Sequence, residues 1–430
     1  MSDFARRIVI INDFAVARGG ATVLALELAH RLRRAGRDVT FFTGDNGENA
    51  ELAASGAEIV AVRGQRLLEA PGVSVVTGVY NARAKNALSK WIANNDGPGV
   101  IYHVNVWSQI LSPSIFAALR PVAARAVVTA HDFFLACPNG NYTNYPKSKA
   151  CALTPMSPQC LLSNCDKRSY AHKVWRVMRQ AALRAILDWR AAPFTALAIQ
   201  EGMIPLLERG GVPAHRIAVL RNPADRLGLQ RVEAENNSEV FFVGRLDTEK
   251  GADLLAAAAR AAGMRLRVIG EGPALDAVRA ANPEAIFEGW RTKNEIATFF
   301  KSARLLVMPT RCIEPFGLAA AEALRVGVPV VASRSSLIAN DLERHGMGVS
   351  VDVFDPAAFA ATLRRLAADD AGVRAMSVSA YENAGKIANS FDEWTSAHLE
   401  LYDRLARASH APGMSAPSSR EFVPAKASHA

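Results

Sequence analysis

Short apolar runs recur along the chain, each closed by Gly, Asn, Asp or a polar cluster and followed by a longer stretch of helical spacing. Runs this short, apolar on successive residues, read as strands buried on both faces, the kind that parallel sheets use. They predict strands at 8–11, 39–42, 58–62, 100–104, 126–130, 195–199 and 217–220, with helices between, one of them over 21–35. Asn222-Pro223 closes this series, and the polar stretch Glu233 to Ser238 separates it from a second one. The second series places strands at 240–243, 266–269, 285–287, 305–308 and 329–332. Strands alternating with helices predict an α/β fold with parallel sheets. The domains expected are 1–222 and 239–390, joined by a linker over 223–238. A last helix is predicted over 391–406, with Trp394, Leu399, Leu401, Tyr402 and Leu405 as its apolar set. Residues 407–430, rich in Ser, Ala and Pro, are predicted to be disordered.

Composition narrows the class. A chain of 430 residues suits two domains, and 50% hydrophobic with 21% charged residues is a globular balance. No run of 18 apolar residues occurs, so no transmembrane helix is expected. The apolar run after Arg6-Arg7 stops at Asn12-Asp13, too short for a signal peptide, which predicts a cytoplasmic protein. The formal net charge of +9 suits acidic small substrates and anionic membrane surfaces. No nucleic-acid motif accompanies it, so no nucleic-acid partner is expected.

The chemistry concentrates in three places. Glu314 and Glu322 bracket Pro315-Phe316-Gly317-Leu318 and a run of alanines. Pro favours a first helical position, so Glu314 is expected in a loop and Glu322 on the helix, with the helix N-terminus between them. That end offers free N–H groups to phosphate, and the carboxylates can accept from sugar hydroxyls. The second place is Phe241 to Gly251: a buried strand closed by Gly244, then Arg245 and Lys250 before a helix beginning near Ala252. Cations in a strand-to-helix crevice can neutralise a diphosphate. The third is Gly19-Gly20 after the first strand, where paired glycines let backbone approach a ligand. It is not GxGxxG, so dinucleotide binding is not indicated.

The Glu–seven residues–Glu spacing with Pro-Phe-Gly inside, together with Arg245 and Lys250, resembles the signature of retaining glycosyltransferases of the GT-B fold, family 4. The resemblance implies two Rossmann-like domains with parallel sheets facing a central cleft, and a last helix that returns to the N-terminal domain. It implies a nucleotide-sugar donor, with Glu314 on the donor sugar and Glu322 on the ribose. Phe316, Gly317, Leu318, Gly19 and Gly20 would lie at the donor phosphates, and Gly289 and Trp290 at the base. Arg245 and Lys250 would stabilise the departing diphosphate without a metal, so no cofactor is required. The acceptor would be a saccharide or lipid-linked, in cell-surface polysaccharide or glycolipid synthesis. Two rivals share the features: another GT-B enzyme such as a sugar-nucleotide epimerase, and a non-catalytic nucleotide-sugar-binding protein.

His131-Asp132 directly follows the strand at 126–130, where α/β proteins place site residues. The resemblance puts His131 at the reaction centre, and His103 is a second candidate. Four of the five cysteines, Cys137, Cys151, Cys160 and Cys165, fall within a turn-rich segment after this pair. Their spacing lacks CxxC, and structural zinc, buried thiols and disulfides stay open as readings. A helix over 173–190 carries Lys173, Arg176, Arg179 and Arg184 near one side. Such a side can lie on anionic lipid, which predicts peripheral contact with the inner face of the cell membrane.

Overall fold

The computed structural model describes residues 4–67, 72–226, 228 and 230–410. The strands, in chain order, are β1 (Arg7–Asn12), β2 (Asp38–Thr43), β3 (Glu58–Ala61), β4 (Val100–Val104), β5 (Ala126–Ala130), β6 (Thr143–Asn144), β7 (Lys149–Ala150), β8 (Thr195–Ala198), β9 (Ile217–Val219), β10 (Glu239–Val243), β11 (Arg265–Ile269), β12 (Ile286–Gly289), β13 (Ala303–Met308), β14 (Val330–Ser333) and β15 (Gly348–Val351). The sequence pattern anticipates all but β6, β7 and β15. The first two form a two-residue antiparallel ribbon, too short for any pattern to mark.

The chain divides into two compact units. The first gathers the described residues up to Asn141, Ala152–Leu220 and Glu393 onward; the second gathers Tyr142–Cys151 and Arg221–Asp392. The first unit holds a parallel sheet of order β3-β2-β1-β4-β5-β8-β9. The second holds a parallel sheet of order β12-β11-β10-β13-β14-β15. In both, the strand order reverses about the first strand of the unit, β1 or β10. Ligands of open α/β sheets bind outside the carboxyl ends of the strands at such a switch point. The sheets are apolar on both faces, as the continuous runs require: Ile8 to Ile11 and Val240 to Phe242 are buried. In the second unit the helices Ala252–Ala262 and Pro356–Ala368 cover one face and Leu318–Arg325 and Ala339–Arg344 the other.

Three expectations need correction. The last helix runs Phe391–His410, so residues 407–410 are helical rather than disordered; 411–430 lie outside the described residues. Of its predicted apolar set, Trp394, Leu401, Tyr402 and Leu405 are buried and Leu399 is half-buried, and Asp403 accepts from the Ala5 N–H at 2.9 Å.

The basic helix spans Tyr170–Ile186, and two of its cations face inward. Lys173 is 1% exposed and Arg179 4%, while Val174 and Met178 stand 42% and 50% exposed. Arg179 is held inside by the Ser108 carbonyl at 2.9 Å and by the rings of Phe134 and Trp175. Helical spacing separates two faces without saying which one is buried, and here the partners of the cations decide. No helix among the described residues is long and apolar enough to cross a membrane.

His103 is the third. Its Nδ1 contacts the Tyr402 hydroxyl and its Nε2 the Thr129 hydroxyl, both at 2.6 Å, so a fully buried ring with two partners is structural.

Candidate active site

In the second unit, β10 and β13 are neighbours, and their following loops carry the cations and the carboxylate. Gly244 closes β10, and Arg245 emerges into solvent with Asp247 at 2.9 Å. Thr248–Lys250 makes one tight turn, ended by Gly251 at φ 70°. A Cβ on Gly251 would stand 2.0 Å from the Pro309 carbonyl oxygen, so only glycine lets these two loops meet. The contact is reinforced by Arg311, which grips Asp253 through two bonds of 2.6 and 2.7 Å and donates to the Thr248 carbonyl at 2.6 Å. The outcome is a direct ion pair: the Lys250 ammonium donates to Glu314 Oε2. Burial alone would lower the proton affinity of Lys250, but the Glu314 charge and hydrogen bond outweigh it and raise its pKa.

Helix Leu318–Arg325 starts later than the proline suggests. Pro315 lies before the helix, and Gly317 at φ 84° is the N-cap, with no side chain capping the first amides and no acidic residue in the first turn. Its orphan N–H groups and partial positive charge are the anion-binding feature the sequence pointed to. Glu322 sits on the fifth residue of this helix, mostly buried, with Lys293 at 3.4 Å. Burial raises its pKa, and Lys293 works against that shift. Phe316 packs inside.

Gly289 ends β12 at φ 70°, and the exposed Trp290 donates its N–H to Glu271 at 3.3 Å. The loop holding Glu271 escaped the sequence reading. A Cβ on Gly270 would lie 2.0 Å from the Gly244 oxygen, and one on Gly272 would lie 2.6 Å from the Leu246 oxygen. Gly-Glu-Gly after a strand was the available signal for this close backbone approach. Arg311 and Lys293 carried no signal, because their roles depend on partners 58 and 29 positions away.

The first unit presents its own cluster at the ends of β1, β4 and β5. Gly19 at φ 92° is the N-cap of helix Gly20–Arg34, again without a side-chain cap or an early acidic residue. Asp13 is buried and accepts three backbone N–H groups, from Gln109, Ile110 and Leu111, at 2.7–3.0 Å. His131 Nε2 meets Asn105 Oδ1 at 3.0 Å. Burial, helped by His398, pushes His131 down to about 4, so the ring is neutral at pH 7. Asp132 accepts from the Phe134 N–H at 2.9 Å, and burial lifts it to about 6 against the pull of Arg179.

The cysteines do not assemble a metal site: among the described residues no group of three His, Cys, Asp or Glu side chains can hold a metal ion. None of the five is disulfide-bonded. Cys137, Cys160 and Cys165 are buried in the first unit, whereas Cys151 belongs to the ribbon segment of the second. The cation beside the thiols is Lys173, whose ammonium lies 3.3 Å from Cys165 Sγ and 3.5 Å from Cys160 Sγ.

The family description "Glycosyltransferase Family 4" matches residues 18–226, and "Glycosyl transferases group 1" matches residues 237–369. The chain belongs to the group 1 glycosyltransferases of family 4. Within that family, a GDP-mannose-dependent alpha-mannosyltransferase of Corynebacterium glutamicum is 32% identical over 143 residues. The match spans only about a third of that relative's length and 33% of this chain. Sucrose-phosphate synthase of Thermosynechococcus elongatus superposes with a TM-score of 0.70 at 19% identity, covering 94% of this chain and 100% of that one. HepE of Anabaena in complex with UDP gives 0.63 at 17% identity, covering 92% and 99%. At such identities the likeness is one of fold: this family 4 chain has the GT-B architecture of two α/β units with parallel sheets.

Proposed function

We propose that this chain transfers a sugar from a nucleotide-sugar donor to a saccharide or lipid-linked acceptor, retaining the anomeric configuration and needing no metal ion. The observation that carries the reading is the Lys250–Glu314 pair beside the side-chain-free N-terminus of helix Leu318–Arg325. A diphosphate at that helix end meets orphan amides, and Lys250 and Arg245 supply the charges that stabilise it as it leaves. Glu314 orients the donor sugar and Glu322 the ribose. On this reading retention follows the front-face path that the resemblance to family 4 implies, in which the leaving phosphate helps deprotonate the acceptor. His131, neutral at pH 7, lines the acceptor side. The name of the mannosyltransferase relative and the UDP complex of the structural neighbour make GDP-mannose and UDP-glucose the first donors to try.

The setting is cell-surface polysaccharide or glycolipid assembly in the cytoplasm, with peripheral contact at the membrane's inner face. Support for contact comes from an apolar stripe rather than from the inward cations. Tyr170, Val174 and Met178 follow one another at intervals of four on the exposed side of their helix, next to exposed Leu161, Leu162, Lys167 and Arg168. Tyr170 is tied to this patch through its bond to the Leu161 carbonyl at 2.9 Å. Serine at Leu162, Val174 and Met178 should reduce co-sedimentation with anionic vesicles.

A thermal-shift screen over GDP- and UDP-sugars tests the donor. Ligand at 100 times its Kd adds about 2.7 kcal/mol. NMR of the product linkage then reads the anomeric outcome. No shift with any nucleotide sugar, or an inverted product, defeats the proposal.

A further inference from the structure

The ends of β4 and β5 pair His131 with Asn105, a residue that the sequence motifs did not single out. Asn105 directly follows β4 and His131 directly follows β5, and these strands are parallel neighbours, with Val104 opposite Val128. Asn105 is 6% exposed. Its backbone N–H donates to the Ile11 carbonyl at 2.9 Å, and the next N–H, of Val106, donates to Asn12 Oδ1 at 3.0 Å. The turn that carries Asn105 is therefore fastened to β1 from both sides. Its side-chain oxygen is engaged by His131 Nε2 at 3.0 Å. Its side-chain nitrogen Nδ2 is buried with no hydrogen-bond partner among the described residues.

Two chemical consequences follow. A carbonyl oxygen only accepts, so the ring nitrogen facing it carries the proton, and the lone pair of the neutral imidazole is left on Nδ1. Buried donors are almost always paired, so an orphan beside a candidate catalytic residue is a place for a water or a ligand atom to accept. The partner must offer an acceptor atom and suit a site where Asp132, next in sequence to His131, interacts electrostatically with Asp13 and Arg179. A neutral hydroxyl fits: it accepts from Nδ2 and brings no second anion next to the two carboxylates.

We infer that Asn105 has two tasks: its carbonyl holds His131 as the Nε2–H tautomer, and its amide binds a sugar hydroxyl oxygen beside that ring. Asn105 is thus a positioning residue for His131 and a binding residue for saccharide. The inference rests on the glycosyltransfer reading for the identity of the ligand, but the tautomer stands on the pair alone. The hydroxyl can belong to the donor sugar or to the acceptor, and the two sources differ in which affinity moves.

Three measurements on the full chain test it. Nitrogen-15 histidine NMR of the wild type should show His131 as Nε2–H, and Asn105→Ala should give a tautomer mixture. Asn105→Asp keeps an acceptor for the ring but removes the amide donor. It should raise the KM of one sugar substrate about tenfold while kcat falls less, and move the acid limb of the pH profile upward, because a carboxylate now faces the imidazole. Asn105→Ala should lower kcat as well. Calorimetry with GDP-mannose or UDP-glucose in the absence of acceptor assigns the hydroxyl: weakened binding by Asn105→Asp points to the donor sugar, unchanged binding with a raised acceptor KM to the acceptor. An Nδ1–H tautomer in the wild type, or wild-type kcat and both KM values in Asn105→Ala, overturns the inference. A wild type that turns over no nucleotide sugar overturns the proposed function and the sugar-binding task with it, while the ring measurement, which needs no substrate, still judges the pair.

Discussion

Lys250 and Glu314 neutralise each other across 64 residues of sequence, in a loop contact that only a glycine at position 251 permits. Under the proposed function, a bound diphosphate would compete with Glu314 for the ammonium and free the carboxylate for the sugar. The two roles assigned to this pair are therefore linked. Lys250→Ala should cut kcat by about 100-fold or more, as expected for loss of a charge stabiliser. Glu314→Gln should cost less than that in nucleotide binding, and steady-state kinetics with calorimetry on free GDP or UDP separates the two. Wild-type turnover in Lys250→Ala at saturating donor would contradict the electrostatic account.

Gly251→Ala probes the same contact through the backbone. An alanine Cβ would stand 2.0 Å from a carbonyl oxygen, which cannot rotate away. The substitution should separate the Thr248–Lys250 turn from Pro309 and lower both Tm and donor affinity. Arg311→Ala should do the second with little of the first, since it loosens the turn without introducing a clash. Thermal melts and nucleotide titrations on both variants distinguish the cases.

Glu322→Ala removes a carboxylate from a mostly buried position where, among the described residues, Lys293 balances it. If the carboxylate holds the ribose, one charged hydrogen bond of roughly 1.5–3 kcal/mol is lost, and nucleotide Kd rises about 10- to 150-fold. Unchanged affinity by calorimetry would take the ribose away from Glu322.

Acid sensitivity should depend on His398. Burial pushes it down to about 4 in the folded chain, from the ordinary histidine value of 6.5. The unfolded chain binds the proton first, so the stability this ring contributes is present above pH 6.5 and lost as pH falls through 4. The amount is about 3 kcal/mol. His398→Phe should flatten the fall of Tm between pH 6.5 and 4, and equal slopes in the two proteins would refute the assignment.

The elements carrying the proposed donor residues were legible because those residues are local in sequence. Glu314, Gly317 and Glu322 sit on one loop and helix, and Gly244 to Lys250 on another, so spacing alone placed them on the right elements. The strands were legible because sheets covered on both faces need unbroken apolar runs, as in Ile8 to Ile11. What spacing could not supply was the inside of the first unit. Lys173 and Arg179 look like a wet face until the thiols, the rings and the Ser108 carbonyl that hold them are known. His103 looked available until Tyr402, 299 residues later, closed its ring nitrogen. The thiols left zinc, buried thiols and disulfides open until the fold showed Cys160 and Cys165 free and enclosed beside the Lys173 ammonium. Arg311 and Glu271 take their meaning from loops distant in sequence, and no short-range pattern records such pairings.

The burial of Lys173 against Cys160 and Cys165 turns these two sulfurs into reporters. The ammonium has three donors and no carboxylate among its partners, so each sulfur serves as its acceptor. Both sulfurs are enclosed, and an alkylating reagent reaches them only when the segment between β5 and helix Tyr170–Ile186 opens. Once modified, a sulfur cannot take the lysine back on the same terms, so each opening that is caught is not reversed. The rate at which iodoacetamide consumes Cys160 and Cys165 is therefore a clock for that opening, readable by mass spectrometry residue by residue, and a saccharide that seats beside His131 should slow it.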